Sequence, residues 1–258
     1  MIHGGLVSIT FRQLDARQVV ALVKQAELTC IEWGGDVHVP HGEVIVAKEV
    51  RDMMNGEGLV TAAYGSYYKV GESELDGLAF KQVVDSSVAL DAPVIRVWAG
   101  SQGTSVADEQ QWGRVIDDGA RIAEMAKEAD KEISFEFHGN TLTDHGEAAV
   151  KLINSIGAEN VSLYWQPLDH SMPGDPLHDL EYIQEYVHHV HVFSWTREIQ
   201  DEPVTRHPLI EREDRWLKYF ERIASIDGDR CAMIEFVKDN NPEQFLDDAK
   251  VLRNWINK

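Results

Sequence analysis

Residues 133–140 read Ile-Ser-Phe-Glu-Phe-His-Gly-Asn, and their alternation decides how the rest of the chain is read. Successive side chains of a β-strand point to opposite faces. Ile133, Phe135 and Phe137 therefore form one set, and Ser134, Glu136, His138 and Asn140 the other. The apolar set suits a covering layer of helices. The polar set, with a carboxylate in it, needs an enclosed polar space, which the interior of a closed barrel supplies.

Seven further β-like runs are spread along the chain: 5–10 (GLVSIT), 29–33 (TCIEW), 59–66 (LVTAAYGS), 94–101 (VIRVWAGS), 161–167 (VSLYWQP), 187–195 (VHHVHVFSW) and 231–237 (CAMIEFV). Helical periodicity fills the intervals, as in Val19, Val20, Leu22, Val23 and Ala26, or Val115, Ile116, Ala120, Ile122, Ala123 and Met125. Asp15, Asp144 and Asn241 stand where helix caps belong, Pro242 suits a first helical turn, and Gly157 and Gly228 read as stops. Eight strand–helix repeats in 258 residues predict an α/β fold, a single (β/α)8 TIM barrel spanning 1–258 as one domain. Neither GxGxxG after the first strand nor GxxxxGK[ST] occurs, which removes the main support for a nucleotide-binding open sheet.

Forty-four acidic residues against 24 basic ones leave a formal charge of −20, which repels nucleic acid and anionic membrane surfaces alike. Two cysteines, Cys30 and Cys231, show no metal spacing and no disulfide framework, which fits a reducing cytoplasm. No signal segment and no membrane-length apolar run is present, so the chain is expected to be neither secreted nor membrane-embedded.

Reading the other runs at period two puts Glu235 inside in the eighth, with Ala232, Ile234 and Phe236 outside. His189, His191, Phe193 and Trp195 fall inside in the seventh, and Ser162, Tyr164 and Gln166 in the sixth. Buried carboxylates cost several kcal/mol unless paired or bound to a cation. Glu136, His191 and Glu235 are therefore either a functional pocket at the carboxyl ends of the strands or a set of ion pairs with the inward-facing Arg96. Glu32 reads as a further inward carboxylate or a structural hydrogen-bond partner. Trp98, Trp195 and Tyr64 at strand ends suit either the gripping of sugar C–H faces or core packing. His38 and His41 lie on the loop after the second run, as ligand contacts or as solvated side chains, and His188 points toward the helix layer.

With FEFH, HVHVFSW, AMIEF, IEWGGDVHVP and IRVWAG in place, the chain resembles the xylose isomerase-like barrels. These are the sugar phosphate isomerases and epimerases, with ketose 3-epimerases, hydroxypyruvate isomerases, inosose dehydratases and apurinic endonucleases among them. The likeness spans almost the whole sequence. In the ketose epimerase branch, Glu, Asp, His and Glu from strands five to eight hold a metal, and the two glutamates move the proton. The resemblance thus implies Glu136, Gln166, His191 and Glu235 as ligands, with Glu136 and Glu235 catalytic. Gln166 departs from the branch's Asp; its amide oxygen can coordinate a hard cation but brings no charge. Mn²⁺ or Mg²⁺ is the implied divalent metal, with Co²⁺ or Zn²⁺ within reach of the same donors.

Arg197, six residues after the histidine, is implied as a substrate contact, as are His138 and either His170 or Asp169. Tyr64 and Trp98 stand where the endonuclease branch would need more ligands, and the net charge opposes DNA. The implied function is isomerisation or epimerisation of a sugar or sugar phosphate through an enediolate. Dehydration with the same residues, and a sugar-binding barrel without chemistry, are the alternatives. The implied partner is a small carbohydrate, without nucleic acid or membrane, and a homo-oligomer is compatible with it. The segment 197–211 reads as a lid or as a mobile charged loop.

Overall fold

The computed structural model describes residues 1–168, 174–197 and 203–257. Eight parallel strands close into a barrel: β1 (Ile2–Val7), β2 (Cys30–Gly34), β3 (Val60–Lys69), β4 (Val94–Trp98), β5 (Glu132–Glu136), β6 (Val161–Trp165), β7 (Val187–Val192) and β10 (Arg230–Ile234). Each strand pairs with its sequence neighbour in the barrel, and β10 pairs with β1 to close it. Between them run α1 (Ala16–Gln25), α2 (Val44–Glu57), α3 (Phe80–Leu90), α4 (Glu109–Glu128), α5 (Gly146–Ile156), α6 (Pro176–Ile183), α7 (Glu213–Ala224) and, at the end, α8 (Pro242–Ile256). A two-residue antiparallel pair, β8 (Trp195–Thr196) with β9 (Thr205–Arg206), sits above the seventh strand of the barrel. The expected (β/α)8 TIM barrel is thus what the chain forms. No helix among the described residues is long and apolar enough to cross a membrane.

Local chemistry accounts for most boundaries. Asp15 accepts from the Gln18 amide at 2.8 Å, while the Gln18 side chain accepts from the Asp15 amide, a reciprocal cap that starts α1. Asn241 caps α8 at 2.8 Å with Pro242 in the first turn. Gly157 ends α5 with φ 68°. Asp144 does not cap α5: its carboxylate accepts from the amide and hydroxyl of Thr104, tying down the loop after β4. The first strand also begins earlier than expected. Gly4 and Gly5 hide it in the sequence, and Ser8–Phe11 forms a 3₁₀ turn instead.

Two layers of packing fix the barrel. Outside, Trp165 from β6 meets Trp216 and Tyr219 of α7, and Phe135 of β5 lies against α4 at Gly119. Inside, a smaller apolar cluster including Val7, Cys30, Ala63, Val94, Tyr164 and Met233 fills the interior. Both cysteines are free and buried in that cluster. The polar residues at the carboxyl ends of the strands sit on this plug.

Two positions make the packing testable. A Cβ on Gly65 would lie 2.5 Å from Glu32 Oε1 and 2.8 Å from Arg96 Nη2, both on buried side chains. Gly65→Ala should cost about 1–3 kcal/mol in urea unfolding. Gly56→Ala, in α2 with nothing within 4 Å, should be neutral or stabilising by up to about 1 kcal/mol.

Asp248 of α8 accepts from the Leu209 amide and the Gln244 side chain at one oxygen, Oδ1, and burial pushes its carboxyl up to about 6. Its folded-state value lies above the unfolded one. The stability it contributes is therefore present below about pH 4 and lost as pH rises through about 6. Asp248→Asn keeps the Oδ1 acceptor and should be more stable than the parent by about 1–2 kcal/mol at pH 8. The difference should shrink toward zero at pH 4, as read by denaturation at both values.

Candidate active site

Period-two alternation brings Glu32 from β2, Arg96 from β4, Glu136 from β5 and His191 from β7 to one level inside the barrel, all buried. Arg96 Nε donates to Glu32 Oε1 at 2.7 Å, and Arg96 Nη1 pairs with Glu136 Oε2. Trp98 Nε1 donates to the same Glu136 oxygen, and Gln166 Nε2 donates to Glu136 Oε1 at 3.0 Å. Glu136 is thus held by three donors. His191 Nε2 lies 3.0 Å from Glu32 Oε2. A carboxylate only accepts, so Nε2 carries a proton, and whenever the imidazole is neutral Nδ1 is left as the lone-pair donor.

That Nδ1 is buried with no hydrogen-bond partner and lies 3.7 Å from both Glu136 Oε1 and Glu235 Oε2. Donor atoms of Glu136, His191 and Glu235 all fall within 4.8 Å of one another. Gln166 Oε1 is buried and unpartnered as well. The charges also leave a gap. Glu32, Glu136 and Glu235 bring three negative charges and Arg96 one positive, so with a neutral imidazole the cluster is two charges too negative for its burial. An orphaned imidazole nitrogen, an orphaned amide oxygen and a two-charge deficit together fit a divalent cation held by His191, Glu136, Glu235 and Gln166. In that arrangement Glu32 is the carboxylate that orients the histidine ligand.

Without a cation, a proton fills the gap. Burial would lower the His191 value, but the Glu235 and Glu32 charges outweigh it and raise the imidazole to about 10. Burial would raise Glu136, yet Arg96 and His191 hold its carboxyl well below the usual range. Glu235 goes the other way, pushed up by burial and by Glu136 against the opposing His191 charge. A cation at His191 Nδ1 would compete with that proton.

Above the cluster lies a cavity of about 500 Å³, with Glu136, Gln166 and Glu235 on its floor. Trp98, stacked on His138 at 4.9 Å between ring centres, forms one wall, and Trp195 another. Arg197 also reaches the cavity, its Nε buried without a partner among the described residues. His170 and Asp169 lie outside the described residues, as do positions 198–202 of the expected lid.

Several expectations are corrected. Tyr64 is not at the cavity: Gly65 takes the inward position on β3, so Tyr64 points outward and donates its hydroxyl to the Val39 carbonyl at 2.8 Å. His38 and His41 bind backbone carbonyls of Leu14 and Ser66 and do not line this cavity. Phe193 leaves the inner face because β7 ends at Val192; it stacks on Trp195 and accepts from Trp216 through its carbonyl. Phe236 turns into the cavity rather than outward, because the strand ends at Ile234 and the backbone reverses at φ 47°.

Reading by alternation also missed Tyr67, Arg12 and Arg206, all on the cavity wall. A register shift between Gly65 and Tyr68, with φ 55° at Tyr67, brings that ring inward, 4.9 Å beneath the Arg96 guanidinium. Its hydroxyl is buried and unpartnered. The single usable signal was the Ala-Tyr-Gly-Ser-Tyr-Tyr run, where a glycine inside a strand pattern marks a bulge.

The chain superposes over nearly its full length on barrels of known structure. One is the probable 3-DHS dehydratase AsbF involved in petrobactin synthesis from Bacillus anthracis, with TM-score 0.80 and 17% identity, covering 98% of this chain and 99% of that one. A second is the IOLI protein with a binding zinc atom, with TM-score 0.78, 12% identity and 98% of each chain covered. A third is an L-ribulose 3-epimerase, with TM-score 0.73 and 15% identity over 100% of this chain and 95% of that one. At these identities the likeness is one of fold. No curated protein matches the chain by sequence. Residues 20–255 match the family model described as xylose isomerase-like TIM barrel, and the chain belongs to that family.

Proposed function

We propose that this protein is a metal-dependent isomerase or epimerase of a small keto sugar, working by proton transfer next to the carbonyl. The observation that carries the reading is the contrast between its two cavity carboxylates. Glu136 is locked by Arg96, Trp98 and Gln166, whereas Glu235 borders the open cavity within 3.7 Å of His191 Nδ1. A carboxylate that is buried and faces a cavity is suited to carry a proton. The family includes epimerases and a dehydratase among its structural relatives, which supports enzymatic chemistry of this type.

The Trp98 and Trp195 faces bind the C–H side of the sugar, and Arg197 Nε takes one of its hydroxyl or phosphate oxygens. Glu235 removes the proton beside the ketone. For delivery to the other face, Glu136 takes up a proton from solvent at Oε1, the oxygen freed when its Gln166 contact gives way, and Glu235 releases the abstracted proton to solvent in turn. When bound to His191, Glu136, Glu235 and Gln166, a divalent ion such as Mn²⁺ or Mg²⁺ supplies Lewis-acid stabilisation of the oxygen charge that develops. Tyr67, with its unpartnered hydroxyl, offers a further hydrogen bond to that charge. Delivery of a proton from Glu136 to the opposite face gives epimerisation, and return of the abstracted proton by Glu235 to the adjacent carbon gives isomerisation.

A second reading, a dehydratase, is favoured by the likeness to AsbF. There the same proton abstraction is followed by departure of a hydroxyl as water.

Incubation with a ketose panel in D₂O separates these outcomes. Deuterium beside the carbonyl at conserved mass supports isomerisation or epimerisation, and loss of water supports dehydration. Glu235→Gln should reduce either by about 10²-fold or more. Full retention of exchange in Glu235→Gln would refute its role as the base, and no exchange with no bound metal across the panel would exclude the proposal in favour of a binding protein. Glu32→Gln should weaken metal affinity about 10–100-fold in a chelator competition, because it removes the acceptor that orients His191.

A further inference from the structure

The cavity wall carries groups that the proton-transfer chemistry does not use. Phe236 follows Glu235 directly and has φ 47°, a conformation that is strained for a bulky residue. It is held there from both sides: its amide donates to Thr10 Oγ1 at 2.9 Å, and its carbonyl accepts from Trp195 Nε1 at 3.2 Å. The consequence is a ring turned into the mouth with two guanidinium groups over it. Arg206 lies 4.5 Å from the ring centre and Arg12 lies 5.5 Å from it.

The two arginines are fixed in different ways. Arg12 directs Nε and Nη2 to Asp36 Oδ2 at 3.1 and 3.0 Å. Arg206 donates Nη1 to Asn240 Oδ1, a neutral acceptor, at 2.6 Å, and among the described residues it has no carboxylate partner. It is half-buried. Burial, opposed by Glu235 and reinforced by the Arg12 charge, holds its guanidinium below the ordinary arginine value. Arg197 lines the same cavity. A chain with 44 acidic and 24 basic residues thus gathers three arginines at one mouth, two of them around a strained aromatic ring. Bringing like charges together is unfavourable unless something negative joins them, and planar guanidinium groups are shaped to share a carboxylate or phosphate.

We infer that Arg12 and Arg206, both over Phe236, form a subsite for an oxyanion, a carboxylate or phosphate, carried by the substrate away from the reacting carbon. That the anion belongs to a keto sugar rests on the proposed function; the oxyanion site rests on the arginine geometry alone. Glu235 and the two arginines then select substrates by charge as well as by the position of the ketone.

Isothermal titration of the full chain with inorganic phosphate and with acetate, at fixed ionic strength in chloride, tests the subsite independently of turnover. At least one of the two should bind one-to-one. Binding should weaken about tenfold or more in Arg12→Gln/Arg206→Gln and be largely kept in Arg12→Lys/Arg206→Lys, which retains the charges. If neither oxyanion binds the parent, or if both bind the glutamine and parent forms equally, the inference is wrong. The lysine pair decides the matter if the glutamine pair fails to fold: loss of binding on raising the salt concentration supports the subsite, and salt-independent binding opposes it.

D-fructose, D-fructose 6-phosphate and D-fructuronate then separate phosphate from carboxylate. The preferred charged sugar should bind about tenfold more tightly than D-fructose, and equal affinities for all three overturn the assignment. Absence of deuterium exchange alongside arginine-dependent oxyanion binding would refute the proposed reaction and leave the subsite standing.

Discussion

Arg96 stands in the barrel interior with Glu32 on one side and Glu136 on the other, and the polar layer is organised around it. Burying a guanidinium costs several kcal/mol, and removing one partner of such a pair typically costs about 3–5 kcal/mol because the other charge is stranded. Here the cost is offset by placing carboxylates in two directions and the Tyr67 ring on the guanidinium face. Gly65 is the steric condition for this arrangement, because any side chain there would occupy the space between Glu32 and Arg96.

The orientation of His191 follows from the same contact. Glu32 is fixed by Arg96 through Oε1 and presents Oε2 to His191 Nε2, which leaves Nδ1 facing Glu136 and Glu235. The departure at Gln166 gains a physical meaning in this setting. Three carboxylates, one guanidinium and a divalent cation are electrically neutral together. An aspartate at 166 would add a fourth carboxylate to a buried site already balanced by Arg96, whereas the amide adds a donor to Glu136 and an acceptor without altering the charge. The glutamine is therefore consistent with a cation site in this chain, given the arginine beside it.

Two of the strained backbone positions carry aromatic rings that border the cavity. Tyr67 and Phe236 are both non-glycine residues with positive φ, both aromatic and both on the cavity wall. Each sits where a strand stops obeying period two: at the register shift of β3 and just past the end of β10. The regular barrel supplies rigid positions for Glu136, His191 and Glu235, and these two departures supply the surfaces that shape the space above them.

The sequence by itself determined the barrel and its inner level. Alternation within Ile133–Asn140 separates the helix face from the polar face, and the same period applied to the seventh and eighth runs places His191 and Glu235 beside Glu136. Such positions are legible because a strand has one period and a one-residue slip would reverse every side chain. Past the strand ends that rule lapses. Tyr64 was read as facing the cavity and does not, Phe193 and Phe236 take faces opposite to the alternating pattern, and Tyr67 enters through a bulge. Arg12, from the loop after β1, and Arg206, at the far side of the chain, meet only over Phe236. Their encounter depends on the closure of the barrel and on two backbone reversals, contacts nearly two hundred residues apart that no local periodicity encodes; only the tertiary structure decided it.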